Sequence, residues 1–259
     1  MRDFTYDKYC QLLRALQLQD YQFVSAVDCC ASSVSGRFVA VRHDVDRTPA
    51  MALRMAHIEE SVGVKSSYFF RSRHISSAAD TIRQIAAMGH EIGYHYEDLV
   101  LACGDVELAV GLFSSHLAAL RRLASVAAIA MHGSPLSRHD SMQMWNHADY
   151  RTMGVVGDMM RDVDFDQVYY ITDTGRRWDG VALRDVSPSA SRWQQLGHRY
   201  HSTDDIIQAI NSGYFPSKVM ITIHPERWTD TVWQWLKQLV WQNIKNFFKR
   251  IIKWIRNSI

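Results

Sequence analysis

Short apolar runs alternate with helical patterns along most of this 259-residue chain. Strands that alternate with helices form a mostly parallel sheet with right-handed crossover connections. The sequence therefore predicts an α/β fold, with the sheet either open or closed into a barrel, and no linker divides residues 1–232. The predicted strands cover 38–41, 66–71, 91–97, 126–131, 168–172 and 219–223, the predicted helices cover 7–16, 50–62, 81–88, 105–123 and 204–212, and 21–27 is a short strand or a connector.

Polar side chains follow five of the predicted strands at the point where each strand ends. In a parallel sheet, and above all in a barrel, these ends meet at one edge or mouth, where catalytic residues collect. One such residue would carry little weight, but five sets of them predict an active site. They are Asp44 with Asp46, His95 with Glu97, His132, Asp173 and His224.

The two aspartates after the strand over 38–41 alternate with Val45, so both carboxylates can face the same side. Two carboxylates held together raise each other's pKa unless a cation lies between them. We expect one of Asp44 and Asp46 to be a metal ligand and the other a general base. The alternative is a pair of helix-capping acids before Pro49.

His95 and Glu97 also lie two residues apart on one strand and share a face. Imidazole nitrogen and carboxylate oxygen are ligands of Zn²⁺ and similar divalent ions. Together with Asp46 on a neighbouring strand end, they predict a metal site. The alternative is a polar strand face near solvent.

Three further strand ends carry candidate catalytic or substrate-binding groups. His224 is placed for general acid catalysis, because imidazole titrates near neutrality, or it is hydrogen-bonded in the core. Asp173 could orient His224. His132 belongs to a His-Gly-Ser-Pro loop that could bring it to a ligand or could be an ordinary turn. Trp178 could line a substrate groove or fill the core.

The composition narrows the class of protein. With 29 Lys and Arg against 27 Asp and Glu, the net charge of +2 gives no sign of nucleic-acid binding. The four cysteines lack a CxxC spacing and include the adjacent Cys29 and Cys30, which favours reduced thiols in the cytoplasm over a zinc ribbon or a disulfide scaffold. Residues 1–20 do not have the pattern of a secretory signal, and no apolar run is long enough to predict a spanning helix.

Residues 233–259 differ in character from the rest of the chain. Apolar residues at helical spacing lie beside a basic stripe, and no acidic residue follows Asp230. A basic amphipathic helix is typical of segments that lie on the anionic inner face of a membrane, and the alternative is a terminal helix packed on the domain. The apolar positions are Trp233, Leu236, Val240, Ile244, Phe247, Ile251 and Ile255, and the basic positions are Lys237, Lys245, Lys249, Arg250, Lys253 and Arg256.

Four short motifs resemble those of the polysaccharide deacetylase superfamily (NodB homology, carbohydrate esterase family 4), in its branch with an HDVD first motif. They follow the family's order over most of the chain, and the second of them is the most specific. The motifs read RHDVD at 42–46, GHEIGYH at 89–95, HGSP at 132–135 and IHP at 223–225.

The resemblance implies a distorted (β/α)₇ barrel followed by a C-terminal amphipathic helix. It also implies a metal-dependent hydrolase that removes acetyl from an N-acetylated sugar of a polysaccharide or a glycan precursor. The implied ion is Zn²⁺, with Co²⁺ or Mn²⁺ as alternatives, and the implied partner is a carbohydrate. Two other functions remain open: a metal-independent amidase acting on another C–N bond, and a non-catalytic sugar-binding barrel.

The roles that the resemblance implies begin with Asp44 as the base, Asp46 and His95 as metal ligands and His224 as the general acid. Asp173 lies where the family's fourth motif would be.

Two positions depart from the family pattern. Leu99 stands where the family has a second metal-binding histidine, and the family's third-motif Arg is replaced by the His-Gly-Ser-Pro loop. Glu97 or His132 could supply the missing metal ligand, and we favour Glu97. His132, Arg42 and Trp178 are then the candidate substrate-binding residues.

Overall fold

The computed structural model describes residues 2–134, 137–179 and 189–241. Its centre is a curled parallel sheet of eight strands in the order β6-β5-β4-β3-β2-β8-β7, with β1 pairing beside β3 on β2. The sheet forms a half-barrel that is open between β6 and β7, which confirms the predicted distorted (β/α)₇ barrel. The strands are β1 (Gln22–Val24), β2 (Phe38–Val45), β3 (Ser67–Phe70), β4 (Glu91–Tyr96), β5 (Ala128–Met131), β6 (Gly157–Asp158), β7 (Tyr169–Thr172) and β8 (Lys218–Ile223).

Most helices cover the convex side of this sheet, and several begin at caps that the sequence provides. Thr5 accepts a hydrogen bond from the first turn of α1, Asp105 does the same for α7, and Ser202 forms a capping box with Asp205 at α9. Pro49 stands at the first position of α3, where its missing N–H costs nothing. The helices are α1 (Tyr6–Leu18), α2 (Ala26–Cys30), α3 (Pro49–Ser61), α4 (His74–Ser77), α5 (Ala79–Ala87), α6 (Asp98–Leu101), α7 (Val106–Arg121), α8 (Ala190–Gln195) and α9 (Thr203–Asn211), with 3₁₀ turns at Ser141–Asn146, Tyr150–Met153 and Pro225–Arg227.

Strand β2 divides its side chains between the barrel interior and the helical layer. Val39 and Val41 pack with α1 and α9, whereas Ala40 packs inside the barrel with Phe69. All eight residues of the strand are buried. Because side chains alternate along a strand, Arg42 and Asp44 also face the interior, towards the carboxyl end of the sheet.

The barrel interior leaves no room for a side chain at the centre of β4. A Cβ added at Gly93 would lie 2.3 Å from the ring of Phe69. The glycine therefore allows the aromatic ring of β3 to fill the space beneath the strand ends.

A closed polar cluster lies on the opposite face of β2, between α1 and α3. Its centre is the fully buried carboxylate of Glu59, which accepts hydrogen bonds from His43 Nε2 (2.7 Å), Tyr68 Oη (2.6 Å), Ser66 Oγ (2.6 Å) and Tyr9 Oη. Burial alone would raise the pKa of Glu59, but His43 and the other donors outweigh it and lower this pKa to about 2. The cluster therefore holds a buried negative charge.

The structure confirms the predicted strands and helices to within a few residues at most ends. The two-residue strand β6 and the short helices α2, α4, α6 and α8 were not predicted, because elements of this length show no periodicity. Residues 232–241 are helical, as predicted for 233–259, and residues 242–259 lie outside the described residues. Across the described ranges, no helix is both long enough and apolar enough to cross a membrane.

Candidate active site

Three side chains from neighbouring strand ends converge at the carboxyl edge of the sheet. Oδ1 of Asp46, just past β2, lies 3.4 Å from Nε2 of His95 on β4 and 3.5 Å from Nε2 of His132 after β5. The three candidate ligand atoms all lie within 4.8 Å of one another. The fold brings them together because β4 and β5 are parallel neighbours and only β3 lies between β4 and β2.

Both histidines turn the same ring nitrogen towards Asp46. Nδ1 of His95 lies 2.9 Å from the carbonyl oxygen of Ala130, and Nδ1 of His132 lies 3.2 Å from Oε2 of Glu97. A carbonyl or a carboxylate can only accept, so a proton on each Nδ1 suits these two contacts and leaves the lone pair of each Nε2 directed at Asp46. Partners of this kind orient metal-binding histidines in proteins.

The cluster fits a divalent metal ion on two observations. Oδ1 of Asp46 is buried and has no hydrogen-bond partner among the described residues. Ligand atoms of a tetrahedral site with bonds of about 2.1 Å lie about 3.4 Å apart, which matches the two distances from Asp46. Two imidazoles and one carboxylate are a donor set for Zn²⁺, Co²⁺ or Mn²⁺.

Asp46 is also held through its backbone. Its carbonyl oxygen accepts a hydrogen bond from Nη2 of Arg73, and Nε2 of His74 lies 3.3 Å from the same oxygen. Burial alone would raise the pKa of Asp46, but the neighbouring histidines, first of all His95, hold it well below its usual range.

Asp44 forms a second carboxylate beside the cluster, with Oδ2 3.6 Å from Nε2 of His95. Arg42 binds it in a two-pronged ion pair, with Nε 2.7 Å from Oδ1 and Nη2 2.8 Å from Oδ2. Burial works against ionisation, yet the Arg42 charge lowers the pKa of Asp44. The guanidinium lies over the ring of Phe69, with Cζ 5.4 Å from its centroid.

Arg42 is only 2% exposed, and its guanidinium is directed at Asp44 from within the barrel. It therefore does not lie where the predicted contact with a substrate would place it. The reason is the alternation along β2, which places Arg42 one layer deeper in the barrel than Asp44.

A third group, His224, follows β8 on the other side of Asp46. Its Nε2 lies 4.0 Å from Asp46 Oδ2, and its Nδ1 lies 2.7 Å from Oδ1 of Asp173, as the predicted orienting role requires. Asp173 also accepts hydrogen bonds from the His224 backbone N–H (3.0 Å), Trp228 Nε1 (2.7 Å) and Arg227 Nη1 (2.9 Å). Burial and Arg227 lower the pKa of His224, but Asp173 and Asp46 prevail and raise it to about 9.

Glu97 lies beside the donor cluster and not within it. Both carboxylate oxygens of Glu97 accept hydrogen bonds from Arg71, whose Nε lies 2.8 Å from Oε1 and whose Nη2 lies 2.7 Å from Oε2. Oε2 of Glu97 also faces His132. Burial opposes ionisation, but His132 and Arg71 lower the pKa of Glu97 to about 2. The choice of Glu97 over His132 as third metal ligand therefore does not match the arrangement, and Leu99 is a core residue on α6.

Trp178 is a core residue and does not line a groove. It is 5% exposed, stacks on Phe4 and donates from Nε1 to Oγ1 of Thr203 at 2.9 Å. The substrate contact predicted for it is therefore not seen. The N-terminal segment around Phe4 covers this part of the barrel and supplies the aromatic surface that buries the indole.

Sequence reasoning did not single out Arg71 and Glu226. Arg71 directly follows β3, so the rule that found the other strand-end residues could have found it as well. Glu226 follows the Ile-His-Pro motif, and its buried Oε2 has no hydrogen-bond partner among the described residues. Burial, with the Asp46 charge, raises the pKa of Glu226.

No protein-family model matches the chain, and no curated protein matches it. Among solved structures, the chain is similar to family 4 carbohydrate esterases, the group that its motifs resemble. An esterase of this family from Streptococcus mutans is 14% identical, with a TM-score of 0.47 and 90% of each chain covered. One from Bacillus anthracis is 10% identical, with a TM-score of 0.44, covering 89% of this chain and 83% of that one. A family 4 pseudoenzyme from Bacillus anthracis is 12% identical, with a TM-score of 0.43, covering 83% of this chain and 66% of that one.

Proposed function

We propose that this chain is a metal-dependent hydrolase that removes acetyl from an N-acetylated sugar in a polysaccharide or glycan precursor. The observation that carries the proposal is the buried, unpaired oxygen of Asp46 between two histidines whose lone pairs face it. An ionised carboxylate, Asp44, and a histidine–aspartate pair flank this cluster on either side. Metal-assisted hydrolysis of an amide uses these three functions: an electrophile, a base and an acid.

Asp46, His95 and His132 would hold the ion. When bound, a divalent ion polarises the acyl carbonyl and makes water more acidic. Glu97 keeps the proton of His132 on Nδ1, and this is the role we assign to it in place of metal ligation. The matching partner of His95 is the Ala130 carbonyl.

Asp44 accepts the proton of the attacking water, and Arg42 keeps the Asp44 carboxylate oriented and ionised. His224 donates its Nε2 proton to the nitrogen of the departing amine. Asp173 accepts the other ring N–H and so keeps His224 protonated. Asp173 and Arg42 are therefore positioning residues, while Asp44 and His224 are the catalytic acid–base pair.

Metal analysis of the protein purified without chelator or metal-affinity resin tests the donor set. We expect about one zinc-like ion per chain in the wild type, and its loss in both His95→Ala and His132→Ala. Glu97→Gln is the matched comparison, because it keeps the size of the side chain and leaves all three donors in place. Loss of metal in Glu97→Gln with retention in His132→Ala would reverse our assignment of the third ligand.

Acetate release from N-acetylated oligosaccharides tests the reaction. Asp44→Asn should lower kcat by at least about a hundredfold, while the protein keeps its fold and its metal. An active Asp44→Asn variant would remove Asp44 from the mechanism. A wild type that holds no ion and stays inactive with added Zn²⁺, Co²⁺ or Mn²⁺ would instead favour the metal-independent amidase or the sugar-binding barrel.

The cytoplasmic location inferred from the thiols stays a prediction, as does the domain boundary at residue 232. Contact of residues 233–259 with a membrane is likewise a proposal.

A further inference from the structure

Among the described residues, the contacts that fix the helix over 232–241 to the barrel lie on one face of the helix. Trp235 Nε1 donates to the carbonyl oxygen of Asp3 at 2.6 Å, and Gln238 Nε2 donates to that of Glu226 at 2.8 Å. Gln238 Oε1 in turn accepts from Nη1 of Arg176 at 2.7 Å. These contacts set the rotation of the helix about its axis.

The outer face of this helix, defined by Trp233, Leu236, Lys237 and Val240, points away from the barrel. The indole of Trp233 is 80% exposed, and Leu236 and Val240 are 40% and 58% exposed. Their spacing places them on one stripe of the helix, with a shallow apolar groove between them. Single exposed apolar side chains are ordinary, but an aligned set marks an interaction surface.

The charge of this region selects an anionic partner. Lys237 lies within the apolar stripe, and the chain after Asp230 holds six basic residues and no acidic one. The nearest acid at the start of the helix, Asp230, is engaged with the backbone N–H of Tyr6 at 2.9 Å. A surface that combines exposed Trp, aliphatic side chains and Lys suits the interface of an anionic bilayer.

We propose that the outer face of helix 232–241 docks on an anionic lipid surface. The helix rests on Arg176, which follows β7, and on Glu226, which follows β8. It therefore stands at the same end of the sheet as Asp46, and docking brings the mouth of the barrel to the lipid surface.

Co-sedimentation of the full chain with lipid vesicles tests this docking. We expect binding to phosphatidylcholine vesicles that contain phosphatidylglycerol, weaker binding to phosphatidylcholine alone, and weakening by salt. Trp233→Gln combined with Val240→Gln should lower the partition coefficient at least about tenfold, and Lys237→Gln about fivefold. Leu18→Gln is the matched control, because Leu18 on α1 is 78% exposed and lies outside the outer face.

Three results would overturn the proposal. The first is that the wild type does not bind vesicles, and the second is that the wild type and the Trp233/Val240 variant bind equally. The third is that the wild type forms a concentration-dependent dimer, which the Trp233/Val240 substitutions abolish and the control substitution does not. The last result would make the outer face a contact between two copies. Acetate release from a small soluble substrate is expected to be unchanged in the variant, so the docking and the proposed function can fail independently.

Discussion

Replacing Glu59 by Gln should destabilise the protein strongly at neutral pH, although Glu59 lies outside the candidate active site. Four donors point at the Glu59 carboxylate, which is fully buried. Glutamine offers one acceptor and turns an NH₂ group towards donors that had been paired. Breaking a buried charged cluster in this way costs about 3–5 kcal/mol.

The pH dependence of this loss follows from the pKa of Glu59, which the fold lowers from an ordinary 4.5 to about 2. A lowered carboxyl pKa contributes stability that is fully present above pH 4.5 and is lost as the pH falls towards 2. The shift corresponds to about 3 kcal/mol in full, of which about 2 kcal/mol is lost between pH 6 and pH 3. Glu59→Gln does not lose this pH-dependent stability, because the glutamine side chain does not titrate.

Urea unfolding of the wild type and Glu59→Gln between pH 6 and pH 3 measures this effect. The difference between their free energies of unfolding should become smaller as the pH falls. Glu60→Gln is the control, since Glu60 is the next residue of α3 and is exposed. It should stay within about 0.5 kcal/mol of the wild type. A difference between wild type and Glu59→Gln that is constant with pH, or a variant as stable as wild type at pH 7, would refute a buried negative charge at this position.

Two other substitutions probe the barrel interior. Gly93→Ala should lower the melting temperature by at least about 5 °C, because the added Cβ meets the Phe69 ring at 2.3 Å. Gly111→Ala is the control, because nothing lies within 4 Å of its added Cβ, and it should stabilise α7 by up to about 1 kcal/mol. Equal effects at the two glycines would contradict the close packing of Phe69 against Gly93. Arg42→Met should lower kcat more than it raises KM and should also destabilise the protein by about 3 kcal/mol. Arg42→Lys keeps the charge, so its kcat and stability should lie between those of the wild type and Arg42→Met. An unaffected kcat in Arg42→Met would mean that the Asp44 carboxylate needs no cation beside it.

The order of strands and helices could be predicted from the sequence because hydrophobic periodicity is a local property. The strand-end rule also works locally, and it found Asp44, Asp46, His95, His132 and His224, which the structure brings to one edge. What it could not assign was the direction of each side chain once the strand has ended.

Glu97 and His132 show this difference most clearly. Both follow strands that end at the candidate site, but α6 begins immediately after Glu97, whose carboxylate is turned towards Arg71 just past β3. His132 continues past β5 and turns its Nε2 to Asp46. The outcome depends on the turn after each strand and on a partner from a third strand, and neither is encoded in the local spacing.

Trp178 illustrates a second limit, which concerns contacts distant in sequence. Its partners Phe4 and Trp228 lie far away along the chain and meet it only after the sheet has curled. An aromatic residue after a strand is compatible with a groove or a core, and only the tertiary contact decides between them.

The opening between β6 and β7 gives the mouth of this barrel an adjustable width. A closed barrel has a diameter fixed by the number of its strands and their stagger, whereas the two edge strands here are not hydrogen-bonded to each other. Side chains such as Met159, Phe165 and Tyr170 pack beside this opening. Substitutions among them can therefore widen or narrow the space near the candidate site without shifting any strand register. The size of the ligand admitted could then change while the proposed acid, base and metal donors keep their places.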